Sequence, residues 1–493
     1  MKWNGRTVFV LVLVSMITSS VLTMALVKTT AGNSSTVGAV ATASNLFSLG
    51  NSQGYPKEFE KIKDAFHIIQ NKYVDHVPSD KLIEGAIDGM ISALDDPYSD
   101  YMDPVAAEEF NSALHSSFEG IGAEVSMQNG KVTIVSPFKG SPAELAGLRP
   151  NDQILSVNGE SLEGLDLQKA VMKIRGPKGT KATLKIVRAG VAEPLTIVVV
   201  RDNIPIETVR GKTLQKDGGK YGYIEIAQFS SETSKRFKEL MESFEKEAVK
   251  GLIIDVRGNP GGYLTAVKEI GEMLIPKKGL IVKIEYGAKE KEVEEIRSQA
   301  DQAKPYPIVL LIDGGSASAS EILAGALRES GGYKLVGEKT FGKGTVQNTV
   351  EMKDKSQLKL TIAKWLTPKG EWVHKKGIQP DVKVEQPAFY KATQLPADKI
   401  LQKDMSSADV KNLQIILQGL KFAPGRTDGY FDAKTEAALK SFQAMKKLPV
   451  TGKVDQATGK ALQDAIIAEM RNPASDLQLQ KALEVVSQEA KGK

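Results

Sequence analysis

The chain of 493 residues contains no cysteine. That excludes disulfide frameworks, cysteine-ligated zinc, iron–sulfur clusters and a thiol nucleophile together. Histidine is nearly as scarce: His67, His76, His115 and His374 are the only four, too few for a histidine-rich metal site. Charge of one sign is lacking as well. Sixty-five basic side chains against 60 acidic ones leave a formal net charge of +5, too dilute over this length for a nucleic-acid binder. With 41% apolar and 25% charged residues, the composition excludes wholesale disorder and a polytopic membrane protein. The length excludes one compact core; at about 150 residues per domain it implies roughly three domains.

The long hydrophobic run lies at the start. Lys2 and Arg6 precede an uncharged, mostly apolar stretch of 20 residues, Val8–Val27, closed by Lys28. This is the layout of a secretory signal or a signal anchor, with the basic residues held on the cytoplasmic side. Twenty residues just span a hydrocarbon core of about 30 Å, so residues 1–32 read equally as a cleaved signal or a membrane anchor. No cysteine follows, which excludes a lipoprotein anchor. In either case the chain is expected to work outside the cytoplasm, in the cell envelope, where ATP-driven chemistry is disfavoured. Residues 33–55 are small, polar and uncharged and read as a flexible linker.

From 56 to 114 the apolar spacing is helical (Phe59, Ile62, Phe66, Ile69, then Leu82, Ala86, Met90, Leu94), broken at Pro78 and Asp95-Asp96-Pro97. Between 115 and 200 short strands and turns take over: Lys131–Ser136, Asp152–Val157 ending in Asn158-Gly159, and Ala182–Val187, with short helices at Ser141–Leu148 and Leu167–Lys173. The segment 201–390 alternates strands and helices through two glycine-bearing loops. Strand Leu252–Val256 leads through Arg257-Gly-Asn-Pro-Gly-Gly262 into helix Leu264–Leu274, and strand Ile308–Ile312 leads through Asp313-Gly-Gly-Ser-Ala-Ser318 into helix Ala319–Glu329. Such units predict an α/β core with a site at the loops that follow the strands. Residues 401–465 hold an internal repeat, Asp428-Gly-Tyr-Phe-Asp-Ala-Lys-Thr435 and Thr451-Gly-Lys-Val-Asp-Gln-Ala-Thr458, each leading into a helix. Residues 466–493 are amphipathic and predict a helical tail.

Chemistry concentrates at Ser316-Ala-Ser-Ala-Ser-Glu321. A serine at a helix start sits among free N–H groups suited to an oxyanion; the alternative is that one of the three serines serves only as the N-cap. A nucleophilic serine needs a base, and no histidine lies between His115 and His374. A lysine buried without a carboxylate partner loses its proton more readily and can take that role. Lys343, in Thr340-Phe-Gly-Lys-Gly-Thr-Val-Gln347, fits it, against the alternative of a surface lysine in a glycine turn; the P-loop spacing is missing. Gln347 stands where its side-chain carbonyl can orient the amine.

These two stretches together resemble the active-site signature of the carboxy-terminal processing peptidases, or tail-specific serine proteases, over about residues 56–385. The resemblance implies Ser318 as nucleophile, Lys343, 25 residues later, as general base, Gln347 as its partner, and Gly262 and Ala319 as oxyanion amides. It implies no metal and no cofactor. Glu119-Gly-Ile-Gly-Ala-Glu-Val125 is similar to the carboxylate-binding loop of PDZ domains, so Gly120, Ile121, Gly122 and Ala123 are expected to hold a peptide C-terminus while the peptide adds as a strand. Arg175-Gly-Pro-Lys-Gly179 reads as a solvated turn, with charge carried toward the core or the peptide as the alternative. Residues 401–465 resemble a peptidoglycan-binding domain, except that Asp432 stands where that family usually has glycine; wall binding and a dimer contact are both open for this module.

The expected fold is therefore multidomain α/β: a crotonase-like α/β protease core (201–390) with an inserted PDZ β-sandwich (115–200), an N-terminal helical segment (56–114), a C-terminal three-helix module and a tail. The expected function is that of an extracytoplasmic Ser–Lys endopeptidase acting on proteins whose C-terminal or unfolded ends the PDZ domain captures. Its expected partners are protein substrate, peptidoglycan, the membrane through the N-terminal segment, and a second copy in a homodimer built on the N-terminal helices or the tail. Roles in envelope signalling or sporulation lie within the family's range. The rival is a noncatalytic wall-associated scaffold binding partner tails and peptidoglycan. An enoyl-CoA hydratase-like enzyme on a similar core is disfavoured by the secretion signal.

Overall fold

The computed structural model describes residues 56–492 apart from 116, 129, 190, 277, 288–291, 301 and 397–398. The signal or anchor stretch and the linker therefore lie outside the described residues, and no described helix is long and apolar enough to cross a membrane. The chain divides into a unit ending at Glu84 and a unit beginning at Gly85. The first holds helix Phe59–Lys72, none of whose residues is buried, and the start of Ser79–Ser92; Gln70 Nε2 donates to Ser79 Oγ at 2.6 Å.

The larger unit is built on a six-stranded sheet. Its order is Val209–Lys216, Gly219–Ile226, Leu252–Asp255, Ile308–Ile312, Lys334–Gly337, Val382–Lys383. The first pair is antiparallel and the others are parallel. Central strands of a parallel sheet are covered on both faces, which is why Ile308–Ile312 is apolar at every position and buried at every position. Helices Thr233–Lys246, Leu264–Leu274 and Ala319–Glu329 cover one face through Phe237, Val267 and Leu323. The other face is covered by helix Leu477–Lys491, whose Leu479, Ala482 and Val486 pack on Tyr221, Ile253 and Val309. The expected tail is thus part of the core, and its apolar stripe is spent on the sheet rather than left for a second copy. The helix before it, Gln456–Met470, also runs past residue 465.

A second, antiparallel sheet joins Asp100–Met102, Gln357–Leu366, Leu280–Tyr286 and Glu292–Arg297, with Thr345–Glu351 paired to Gln357–Leu366. The loop 96–99 is fastened to it: Ser99 Oγ donates to Asp96 at 2.6 Å and accepts from the Thr361 N–H at 3.1 Å. Residues 56–114 therefore contribute a strand and a loop to the core, not helices alone.

Residues 123–200 fold around one six-stranded sheet with helices Pro142–Leu145 and Leu167–Ile174, about Ile134, Leu184 and Ile186, and a separate two-stranded sheet flanks it in the chain. This replaces the two stacked sheets of a sandwich: Ala170 and Ile174 of the longer helix supply the covering layer. Ser117–Gly120 and Asp202–Pro205 pair antiparallel, so the chain enters and leaves this domain side by side, as an insertion requires.

Helices Ala408–Gly419, Ala433–Met445 and Gln456–Met470 form the C-terminal module around Leu413, Phe431 and Phe442. The internal repeat has a physical cause. Fully buried Gln414 accepts from the Gly429 N–H at 2.9 Å and donates to Thr435 Oγ1 at 3.0 Å; fully buried Gln443 does the same with Gly452 at 2.9 Å and Thr458 at 3.2 Å. Asp432 and Asp455 then cap the second and third helices by accepting from the Thr435 and Thr458 N–H groups. Asp432 is thus a structural aspartate, and its replacement of the usual glycine strengthens a helix start. Removing a buried glutamine orphans its partners at about 1–3 kcal/mol each. Gln443→Ala is accordingly expected to lower the module's stability by several kcal/mol in urea unfolding followed by circular dichroism, against a few tenths for exposed Gln488→Ala.

Candidate active site

The two glycine-bearing loops meet beyond the ends of strands Leu252–Asp255 and Ile308–Ile312 and are stitched together by Asn259. Its carbonyl accepts from the Ala317 N–H at 3.0 Å and from Ser320 Oγ at 2.9 Å. Its side chain donates to Ile226 O at 2.8 Å and accepts from the Gly261 N–H at 2.8 Å. Ser316 Oγ donates to Val256 O at 2.8 Å. The hydroxyls of Ser316 and Ser320 are therefore consumed in buried structural bonds. Ser318, half-buried at the N-cap of Ala319–Glu329, is the serine of this cluster that lines a cavity of about 520 Å³.

Ser318 adopts φ +54° and ψ −113°, a conformation that costs a non-glycine residue on the order of 1–3 kcal/mol. Its hold is Glu321. This carboxylate is fully buried and accepts four hydrogen bonds: from the Ser318 N–H at 2.9 Å, the Lys343 N–H at 2.8 Å, the Gly342 N–H at 2.8 Å and Thr340 Oγ1 at 2.6 Å. One side chain thus binds the serine turn and the lysine turn into a single body. Sequence reasoning assigned Glu321 no role, because a glutamate in the first turn of a helix is ordinary and its partners lie up to 22 residues away.

Lys343 is half-buried and lines the same cavity. Its amine lies 4.9 Å from the Tyr98 ring centroid, and among the described residues no carboxylate pairs with it. Burial pushes the amine below its ordinary pKa, Lys359 adds to that push, and Asp96 and Glu321 pull back without reversing it. Gln347 also lines the cavity, but its amide donates to Thr345 Oγ1 at 2.9 Å and Thr361 Oγ1 at 3.1 Å. Among the described residues, no hydrogen bond joins Lys343 Nζ to Ser318 or to Gln347. His374 stacks on Trp372, with centroids 4.9 Å apart, and does not line the cavity.

Gly262 and Ala319 line the cavity as well. Gly261 O and the Tyr263 N–H both bond to Phe229, so by strand alternation the Gly262 N–H points the other way. A Cβ at Gly262 would meet Phe229 O at 1.9 Å, and its φ is +140°; glycine is required there. The Ala319 N–H belongs to the first helical residue and has no intrahelical acceptor. Two uncommitted N–H groups therefore face the space beside the serine.

In the inserted domain, the Ile121 and Gly122 N–H groups have no protein acceptor among the described residues, while Ala123 stands opposite Pro137 in the sheet. Gly122, at φ +75°, has no room for a Cβ, which would lie 2.5 Å from Ser141 Cβ; at Gly120 a Cβ makes only ordinary contacts. The crowding is thus with the domain's own atoms. Arg175 is half-buried over the Phe118 ring, 4.8 Å from its centroid, with Nε unpartnered, so this turn is not simply solvated.

A serine hydroxyl, an amine shielded from acids and two amides around one cavity are the equipment of a serine hydrolase that dispenses with histidine. Residues 220–384 match peptidase family S41, 133–188 a PDZ domain, 16–106 the N-terminal domain of the activating protease CtpB, and 406–462 a peptidoglycan binding domain. The chain is 48% identical over 427 residues to the carboxy-terminal processing protease CtpB of Bacillus subtilis (strain 168), covering 87% of this chain and 88% of that one. It is 40% identical over 481 residues to the carboxy-terminal processing protease CtpA of the same organism, covering 98% of each. A solved photosystem II D1 C-terminal processing protease is similar at 28% identity and a TM-score of 0.40, over 67% of this chain and 94% of that one. The chain belongs to peptidase family S41, among the carboxy-terminal processing proteases.

Replacing Glu321 leaves three N–H groups and a hydroxyl unpaired in the interior. Glu321→Ala is expected to cost about 3–5 kcal/mol in chemical unfolding and to abolish peptidase activity. Glu321→Gln is expected to fail as well, since an amide turns two donors toward donors.

Proposed function

We propose that the chain is an extracytoplasmic endopeptidase with a Ser318–Lys343 dyad, acting on proteins whose C-terminal or unfolded ends are captured by the inserted PDZ domain. The observation that carries this reading is the shielded amine of Lys343 sharing one cavity with Ser318 and with the free amides of Gly262 and Ala319. Neutral Lys343 takes the Ser318 proton as the oxygen attacks the peptide carbonyl. The Gly262 and Ala319 N–H groups receive the oxyanion, Lys343 passes the proton to the leaving amine, and water then resolves the acyl-enzyme. Gln347 orients the amine once it turns toward the hydroxyl.

The open amides of Ile121 and Gly122 support capture of a C-terminal carboxylate, with the peptide adding as a strand. The apolar run Val8–Val27 supports a place in the cell envelope, by secretion or anchoring. A hold on peptidoglycan by the C-terminal module and a homodimer through the N-terminal helices complete the proposal. The scaffold reading is disfavoured, because a pure adaptor has no use for a strained serine facing an unpaired amine.

Ser318→Ala and Lys343→Met are each expected to abolish cleavage of an unfolded protein such as casein; parent-like cleavage by either variant refutes the dyad. Because the amine's pKa is lowered by folding, the folded state binds fewer protons than the unfolded one between the two values, so stability rises with pH across that window. Where the amine is still protonated, the partly buried ammonium costs stability, so at low pH Lys343→Met should unfold no earlier than the parent. Activity should climb with pH as the amine deprotonates. Lys359→Met, which removes a neighbouring positive charge, should move that rise to higher pH in a pH–kcat profile.

A further inference from the structure

The glycine loop that carries Gly262 begins at Arg257, whose side chain is largely but not fully buried and is anchored on both sides. Toward the sheet, Nε lies 3.0 Å and Nη2 2.6 Å from the Asp255 carboxylate. Toward the C-terminal helix, Nη1 and Nη2 lie 2.9 Å and 2.8 Å from the two oxygens of Asp476, and Nη1 lies 3.0 Å from Gln478 Oε1. These contacts occupy all the donor directions of the guanidinium. Asp255 alone would balance its charge, and Asp255 is itself steadied by Tyr223, whose hydroxyl donates to it at 2.7 Å. Asp476 is thus a second carboxylate brought into the interior from 219 residues away, a burial that needs a return.

Asp476 is well placed to give one. It is the N-cap of Leu477–Lys491, accepting from the Leu479 N–H at 2.9 Å, and it also accepts from Gln386 Nε2 at 2.6 Å. Its helix is packed along the sheet, so its carboxylate is a fixed point. From Arg257 the chain reaches Gly262 in five residues, through a loop with little slack: the Gly258 N–H donates to Asp313 at 2.8 Å, and Asn259 is bonded on every side.

We infer that Asp476 is a positioning residue for peptide cleavage, holding Arg257 and through it the loop that aims the Gly262 N–H at the oxyanion. The inference rests on the peptidase reading of the Ser318 site. Without the carboxylate, the guanidinium keeps Asp255 on the sheet side but only the neutral Gln478 on the helix side, so it pivots about Asp255 and lets the loop start drift. An oxyanion donor displaced by about 1 Å costs on the order of 10²-fold in rate. The helix that follows the three-helix module is, on this account, a working part of the protease, and the segment from Met470 to Asp476 ties the module to the oxyanion loop.

The test compares the full-length parent, Asp476→Ala, Asp476→Asn, Asp476→Glu and Ser318→Ala on a fluorogenic casein. An alanine-terminated peptidyl boronate serves as the mimic of the tetrahedral state, and thermal unfolding reports on folding. Asp476→Ala is expected to lower kcat about 10- to 100-fold, to change KM less than twofold, and to weaken boronate binding by the same factor as kcat. Asp476→Asn should fall between it and the parent, and Asp476→Glu should recover part of the loss. A purely structural role would lower the unfolding midpoint without separating boronate affinity from KM. If Asp476→Ala does not fold, the isosteric Asp476→Asn decides by the same ratio. Folded variants with kcat within twofold of the parent, or with the whole loss in KM, overturn the inference. Casein cleavage by Ser318→Ala would instead overturn the peptidase reading on which it rests.

Discussion

The catalytic geometry of this protein depends on one buried carboxylate. Glu321 gathers the backbone of Ser318, Gly342 and Lys343 and the hydroxyl of Thr340 around two oxygens. Burying a carboxylate is costly unless hydrogen bonds replace its water, and four donors supply that replacement. An amide of the same shape could not, because half of its polar end would meet donors with donors. The choice of residue also settles a conflict. The negative charge favours protonated Lys343, yet it is committed to backbone N–H groups, so burial remains the leading influence on the amine.

Strain at Ser318 follows from the same arrangement. A serine at φ +54° is tolerated only where its surroundings over-determine the turn. Here Glu321 holds the turn from the helix side and Asn259 holds it from the glycine loop, through Ala317 and Ser320. The two loops follow different strands, but their hydrogen bonds make them one object. This is why the amides of Gly262 and Ala319 share a cavity although 57 residues separate them.

What could be read from the sequence follows the distance over which each signal acts. Helices Leu264–Leu274 and Ala319–Glu329 and strand Ile308–Ile312 have the bounds their local patterns predict, since a run of apolar residues between glycine loops carries its own punctuation. Ser318 and Lys343 could be singled out because each sits in a short glycine-bearing motif, and the structure brings both to one cavity. The antiparallel sheet was not: Glu292–Arg297 is mostly charged and exposed, and Gln357–Leu366 is half-buried along its middle and buries an apolar face only at Ala363 and Trp365, so neither shows the burial period of a core strand over its length. Lys359, Tyr98 and Glu321 were missed for another reason. Each acts through a partner remote in sequence, and a single charge or ring in a helix turn or strand carries no mark of where the fold will take it.

The accessory domains are set into the core rather than hung from it. The inserted domain leaves and rejoins the chain through the paired strands Ser117–Gly120 and Asp202–Pro205, so its two ends are bound to move together. The three-helix module lies between strand Val382–Lys383, at the edge of the main sheet, and helix Leu477–Lys491, which covers that sheet's face. A domain fixed at one end transmits little, because its linker absorbs displacement. A domain fixed at both ends alters the elements that flank it whenever its own shape or load changes. Those flanking elements lead to the two sides of one cavity. The first insertion emerges a few residues after Phe110 and Leu114, which line it, and the second returns at Asp476, beneath the loop that ends in Gly262. Both accessory domains are thereby joined to elements that border the site, although neither lies on the cavity itself.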